Sequence, residues 1–250
     1  MTCDDDPACA SVLSEGFYIW RGFQDPARCT VLRDRAEQLL RTGAAREFPT
    51  STRLWELYRY GNDMVALMCD EGLLALAASL LGPYPILADF SLNQVRGGEM
   101  ADYWHIDYPF SHMRTRVTGS LLGIQCIMPL SPFTADNGAT QLVPGTHRRE
   151  GHPRAGDPAG MTTFIAGPGD LLVIAAATWH RSGVNTTATP RTAVLFSFVE
   201  NWIRPMTGPP EPGAWSTTPL ARSLLGFEHP TRPESKPPVS PATESVRPSG

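Results

Sequence analysis

The chain has 250 residues, with 21 Lys and Arg against 25 Asp and Glu for a net charge of −4, and is 42% hydrophobic and 18% charged. This is the profile of one soluble globular domain, long enough to bury roughly 70–75% of its unfolded surface and to build a core without disulfides or a structural metal. The basic residues are 20 scattered Arg and the single Lys236, which argues against a nucleic-acid or anionic-membrane partner.

The N-terminus, Met1-Thr2-Cys3-Asp4-Asp5-Asp6, has no basic region followed by an apolar stretch, so no secretory signal is expected and the expected location is the cytoplasm. The longest apolar runs, 73–81 and 171–177, are shorter than the ~20 residues of a membrane span. Five cysteines (Cys3, Cys9, Cys29, Cys69, Cys126) form an odd set without a CxxC pair, which speaks against both a disulfide framework and a thiolate zinc site.

In chain order, 16–23 (GFYIWRGF) reads as a short strand. Residues 26–41 place Cys29, Leu32, Ala36, Leu39 and Leu40 near one helical face behind Asp25 and Pro26, an N-cap and first turn. A second helix is expected over 62–81, ending at Gly82-Pro83. From 86 onward, short apolar segments alternate with Gly, Pro, Asn and Asp, the texture of a β-sandwich or barrel. Strands are expected at 86–95, 103–107, 117–128, 139–143, 162–165, 170–176, 180–184 and 191–200. The expected fold is mainly β, a jelly roll (double-stranded β-helix, cupin-like) over 86–204. A mostly helical flank (1–85) precedes it and an extension (205–228) follows, together one domain. Residues 205–250 hold 11 of the 24 prolines, and 229–250 is expected to be a disordered tail.

His105-Ile106-Asp107 lies in an extended segment, so a period of two sends the imidazole and the carboxylate to one face. Two ligands on one face are two-thirds of a facial triad, which leaves positions open on a non-haem iron. With 6 His and 13 Asp in the chain, about 0.3 such pairs arise by chance, so the pair needs a third partner. His180 follows an apolar strand. Arg191 comes eleven residues later across the turn-like NTTATP, so both would face one cavity from adjacent antiparallel strands. A planar, always-charged guanidinium there suits bidentate capture of a carboxylate.

These segments, WHIDY at 104–108, NGATQLVPGTHR at 137–148 and HRSGVNTTATPR at 180–191, resemble the phytanoyl-CoA dioxygenase family of Fe(II)/2-oxoglutarate-dependent oxygenases. The resemblance extends to GFYIWRGF and the helix after it, and to LLGF at 224–227. It implies that His105, Asp107 and His180 bind iron and are the catalytic centre. It further implies that Arg191 pairs with the distal carboxylate of 2-oxoglutarate, helped by Ser182, and that Thr140 donates a hydroxyl to the cosubstrate. Asn93 is a further cosubstrate contact, or Gln94 if the register differs by one. Many relatives carry Gln two or three residues before the first His; Asp102 and Tyr103 stand there in this chain, which leaves the partners of the cosubstrate's C1 end open.

The reaction implied is hydroxylation of a C–H bond by Fe(II), 2-oxoglutarate and O2, with succinate and CO2 released. Desaturation, epoxidation and ring closure use the same iron, whereas Asp107 argues against a halogenase. Candidate substrate contacts are Trp55, Tyr58, Tyr60, Tyr103, Tyr108, Phe110, Trp202 and Arg204. Their character points to a hydrophobic small molecule of secondary metabolism rather than a coenzyme A ester. His147 is read as a loop-packing residue, and His112, His152 and His229 as surface residues. The alternatives are a jelly roll that binds a small molecule without turnover, and a zinc or manganese enzyme on the same scaffold.

Overall fold

The structure is a computed structural model that describes residues 6–115, 117–154, 156, 158–206, 213 and 218–227; the tail expected at 229–250 lies outside them. In order come α1 (Pro7–Glu15), β1 (Phe17–Trp20), α2 (Pro26–Leu40), β2 (Arg46–Glu47), β3 (Ser51–Trp55), α3 (Asn62–Met68), α4 (Glu71–Leu81) and β4 (Ile86–Val95). Then follow β5 (Gly123–Pro129), β6 (Thr140–Leu142), β7 (Thr162–Thr163), β8 (Leu171–Ala175), β9 (His180–Ser182), β10 (Arg191–Val199) and α5 (Pro219–Leu224). The described strands pair antiparallel into a seven-stranded sheet, β1-β8-β5-β10-β4-β3-β2, facing a three-stranded sheet, β7-β6-β9. This is a jelly roll flanked by helices.

The large sheet is buried on both faces, and its period of two separates two environments. Along β10, Val194, Phe196 and Phe198 pack outward against the helices with Leu92 of β4 and Cys126 of β5. The alternate residues Ala193 and Leu195 turn inward beside Ile127, Leu172 and Ile174. Arg191 and Ser197 share that inner face, on which the site is built.

The helix expected over 62–81 is two helices. Asp70 has an extended backbone (φ −59°, ψ 123°), and its carboxylate accepts from Leu73 N at 3.0 Å, starting α4 afresh. Gln24 Nε2 donates to the other carboxylate oxygen at 3.0 Å. The strand expected over 117–128 begins only at Gly123, because the chain first turns through Gly119 at φ 83°. Four elements were not foreseen: α1, β2, β3 and the short α5, which Thr218 caps by accepting from Ala221 N at 3.2 Å. In α1, Asp6 caps the helix by accepting from Ala8 N at 2.9 Å. The pair β2 and β3 extends the large sheet beyond β4, and Ser51–Trp55 alternates in burial, with Thr52 and Leu54 turned to the helices.

Gly16 ends α1 in the left-handed region at φ 87°. A Cβ there would lie 2.4 Å from His147 Nδ1 and 2.5 Å from Thr178 Oγ1. Gly16 O accepts from Thr178 Oγ1 at 2.8 Å and Leu13 O bonds His147 Nε2 at 3.1 Å, so the signature histidine fastens its loop to α1. Gly16→Ala is expected to destabilise the fold by about 1–3 kcal/mol through backbone strain and the forced shift of Thr178, measured as a lower denaturant midpoint at constant slope.

Candidate metal centre and adjoining chamber

Residues 102–107 run extended beside β9. His105 N donates to His180 O and His180 N to His105 O, both at 3.0 Å, while Asp107 N donates to Ala176 O at 2.7 Å. A single bridge joins His105 and His180, so the strand expected at 103–107 is an extended edge rather than a ladder. The reason is its short partner, β9, which spans three residues. The alternation nevertheless holds: Trp104 and Ile106 are buried behind, while His105 and Asp107 line the cavity in front.

His180 Nε2 lies 3.2 Å from Asp107 Oδ2, and His105 Nε2 lies 3.8 Å from Asp107 Oδ1. One ligand atom from each of the three residues falls within 4.8 Å of the others. Each imidazole is oriented by a carbonyl two residues back, His105 Nδ1 by Tyr103 O and His180 Nδ1 by Thr178 O, both at 2.9 Å. A carbonyl can only accept, so each Nδ1 carries the proton and each Nε2 presents a lone pair to the site. Asp107 Oδ2 is buried without a hydrogen-bond partner. With both Nε2 atoms unprotonated, three acceptors face one another and repel unless a cation lies between them, either a metal ion or a proton that His180 shares with Asp107. Two imidazoles and one carboxylate fit a divalent first-row metal such as Fe(II), with positions left open.

Charge states follow from the same contacts. Burial opposes ionisation of Asp107, but His180, His105 and Arg53 outweigh it and bring the carboxyl down to about 2. Burial likewise opposes the charge on His180, yet the Asp107 carboxylate holds its pKa above the ordinary value. His105 moves the other way, lowered by burial and by His180.

Arg191, at the start of β10, is 1% exposed. Its Nη2 donates to Gly138 O and, at 3.3 Å, to Ser182 Oγ, and its guanidinium carbon sits 4.1 Å from the centre of the Phe133 ring. Its Nε has no partner, and among the described residues no carboxylate pairs with it. Burial lowers its pKa to about 9, so at neutral pH it is a buried, unneutralised cation. Such a charge is strongly unfavourable until an anion arrives. A cavity of about 70 Å³ connects it to the triad, lined also by Ser182, Thr140 and Asn93. Thr140 stands opposite Ser182 across β6 and β9. Asn93 Oδ1 is buried without a partner. Gln94 lies on the other face of β4, where its Nε2 donates to Thr192 Oγ1 at 3.1 Å; the period of two excludes it from the cavity.

A larger chamber of about 640 Å³ adjoins this cavity and shares Arg53, Asp102, His105, Asp107 and Gln125 with it. Of the expected substrate contacts, Trp55, Tyr103 and Tyr108 line the chamber, and five do not. Tyr58 is buried in the helical core, with its hydroxyl donating to Glu56, and Tyr60 packs against the same core. Phe110 is fully buried behind the metal-side segment with Ile106. Trp202 is exposed and donates to Glu200. Arg204 supplies its carbonyl to the Tyr108 hydroxyl, and its side chain is not part of the lining. His112 and His152 are exposed but reach the chamber.

Sequence reasoning missed several lining residues, among them Arg53, Asp89, Gln125 and Ser197. Arg53, on β3, donates to Asp89 Oδ2 at 2.8 Å and Ser91 Oγ at 3.2 Å. Gln125 and Ser197 lie within the apolar strands GIQCIMP and RTAVLFSFV. A lone polar residue on the inward phase of an apolar strand was the available signal.

Residues 13–193 match the family profile of phytanoyl-CoA dioxygenase (PhyH). The chain belongs to this family. Among curated family relatives, it is 29% identical over 191 residues to Dioxygenase af480 of Aspergillus fumigatus, covering 72% of this chain and 60% of that protein. It is 30% identical over 143 residues to Dioxygenase andF of Emericella variicolor, covering 55% and 50%. The chain thus spans about half the length of the curated relatives it matches. The same fold is seen in the epimerase SnoN, solved with Fe3+, alpha ketoglutarate and nogalamycin RO, at TM-score 0.65 and 20% identity over 78% of this chain and 85% of that one. It is also seen in EctD from S. alaskensis with bound Fe, at TM-score 0.66 and 21% identity over 81% and 80%.

Proposed function

We propose that the chain is an Fe(II)/2-oxoglutarate-dependent dioxygenase that hydroxylates a C–H bond of a hydrophobic small molecule in secondary metabolism. The observation that carries this reading is the continuity of one cavity between the His105–Asp107–His180 cluster and the buried, unpaired Arg191. One end offers three lone-pair donors to a cation and the other a cation to a carboxylate. A dicarboxylate that also binds metal satisfies both.

His105, Asp107 and His180 would hold the iron. Arg191 would neutralise the distal carboxylate, with the Ser182 hydroxyl beside it, while Thr140 and Asn93 line the same cavity and Arg53 acts on Asp107 at the metal side. Iron and 2-oxoglutarate held there would supply, with O2, the oxidising power for C–H hydroxylation, one oxygen atom entering the substrate and the other the succinate released with CO2. With Asp107 present, the carboxylate would take a place on the metal that a halide would otherwise need, which favours oxygenation over halogenation. Trp55, Tyr103 and Tyr108 wall the chamber next to the metal ligands, presenting aromatic surface to a substrate. The names of the fungal relatives, all dioxygenases, and the ligands of SnoN support the reading. Anaerobic addition of 2-oxoglutarate to the Fe(II)-loaded chain is expected to produce a visible charge-transfer band. O2 with a substrate then yields succinate. A chain that binds iron but shows neither the band nor 2-oxoglutarate affinity by calorimetry would refute the proposal.

A further inference from the structure

Ser197 on β10 stands directly opposite Gln125 on β5 and, on its other side, opposite Asp89 on β4. The three side chains form a row across the inner face of the large sheet, and all line the chamber. Asp89 is satisfied, accepting from Arg53 Nη2 at 2.8 Å and from Ser91 Oγ at 2.9 Å. Gln125 and Ser197 differ from it: they are 6% and 4% exposed, and neither side chain has a hydrogen-bond partner among the described residues. Their sequence neighbours Ile124, Cys126, Phe196 and Phe198 turn to the other face and pack in the helical core. Their polar groups open onto the chamber from otherwise apolar strands, so hydrogen bonds that no protein group takes are available to a molecule bound there.

We propose that Gln125 and Ser197 are specificity-determining residues that take a neutral oxygen function, a carbonyl or hydroxyl, on an otherwise apolar substrate. This rests on the proposed dioxygenase reading and names the substrate class within it. An amide and a hydroxyl each both donate and accept, so the pair accommodates either oxygen type. In their row the Asp89 charge is balanced by Arg53, and the lining beyond it carries the carboxylates of Asp102 and Asp107, which suits a neutral group rather than a carboxylate or phosphate. Gln125 also borders the cavity of the metal ligands. A substrate oxygen held there fixes which neighbouring C–H faces the iron.

The test is calorimetric titration of the full chain with matched sets: decalin, decalone and decalol, and androstane, androstanone and androstanol. The oxygenated members are expected to bind about tenfold more tightly than their hydrocarbon, or better. The double variant Gln125→Leu/Ser197→Ala is expected to erase that preference, keep its affinity for 2-oxoglutarate, and melt at the same or a higher temperature than the parent. A panel in which no oxygenated member exceeds its hydrocarbon overturns the proposal. So does a preference that survives the double substitution, or a lower melting temperature, which would make the pair structural. Loss of 2-oxoglutarate affinity in the variant overturns it too, since the pair would then serve the cosubstrate. Failure of the dioxygenase reading shows separately, as a parent chain that binds no 2-oxoglutarate.

Discussion

Arg191→Leu is expected to weaken 2-oxoglutarate binding by about 10²–10³-fold while leaving the cosubstrate-free fold at least as stable as the parent. The affinity loss follows from removing one partner of a buried ion pair, which costs about 3–5 kcal/mol. Stability moves the other way because the resting protein buries this cation without a carboxylate. Leucine keeps an apolar stem beside Phe133 and removes the charge. Calorimetry reads the affinity, and thermal unfolding with and without cosubstrate reads both halves of the claim. At a concentration of 100 times its Kd, the parent gains about 2.7 kcal/mol from the ligand, and the variant at that same concentration gains almost nothing. Unchanged 2-oxoglutarate affinity would place the carboxylate elsewhere. A collapse of the ligand-free fold would make Arg191 a structural residue.

Asp107→Ala is expected to lower Fe(II) or Co(II) affinity by more than ~100-fold and to abolish substrate-dependent succinate release. Outer partners of metal ligands are worth 10–100-fold, and Asp107 supplies the only carboxylate of the cluster. Two neutral imidazoles alone offer no charge to offset the dehydration of a divalent ion. Equilibrium metal titration by absorbance or calorimetry checks this directly. The two variants also separate the halves of the site: Arg191→Leu should retain metal, and Asp107→Ala should lose it. Metal affinity unchanged by Asp107→Ala would remove the carboxylate from the coordination sphere.

Much of the site is legible locally because strand geometry is local. Alternation alone puts His105 and Asp107 on one face, and the turn between His180 and Arg191 sends both toward one space. The same periodicity decides between neighbours once a face is known, which is why Asn93 enters the cavity and Gln94 does not. The aromatic candidates fared unevenly because aromatic side chains serve cores and chambers alike. Tyr58 and Phe110 fill cores, whereas Trp55, Tyr103 and Tyr108 face the chamber, and no local pattern separates the two groups. The split of 62–81 into α3 and α4 turns on Asp70, whose capping role competes with an otherwise continuous apolar period.

By itself, the sequence determined the mainly β class, the motif residues and the face each one occupies, since backbone alternation and turn chemistry act over a few residues. Only the tertiary structure decided that His180 comes within 3.2 Å of Asp107, that Arg191 is buried without a counter-charge, and that Arg53, Gln125 and Ser197 meet around one chamber. Those facts depend on which distant strands pair and in what register. That choice is made by burial of the whole sheet between its two cores, and no short window of residues contains it.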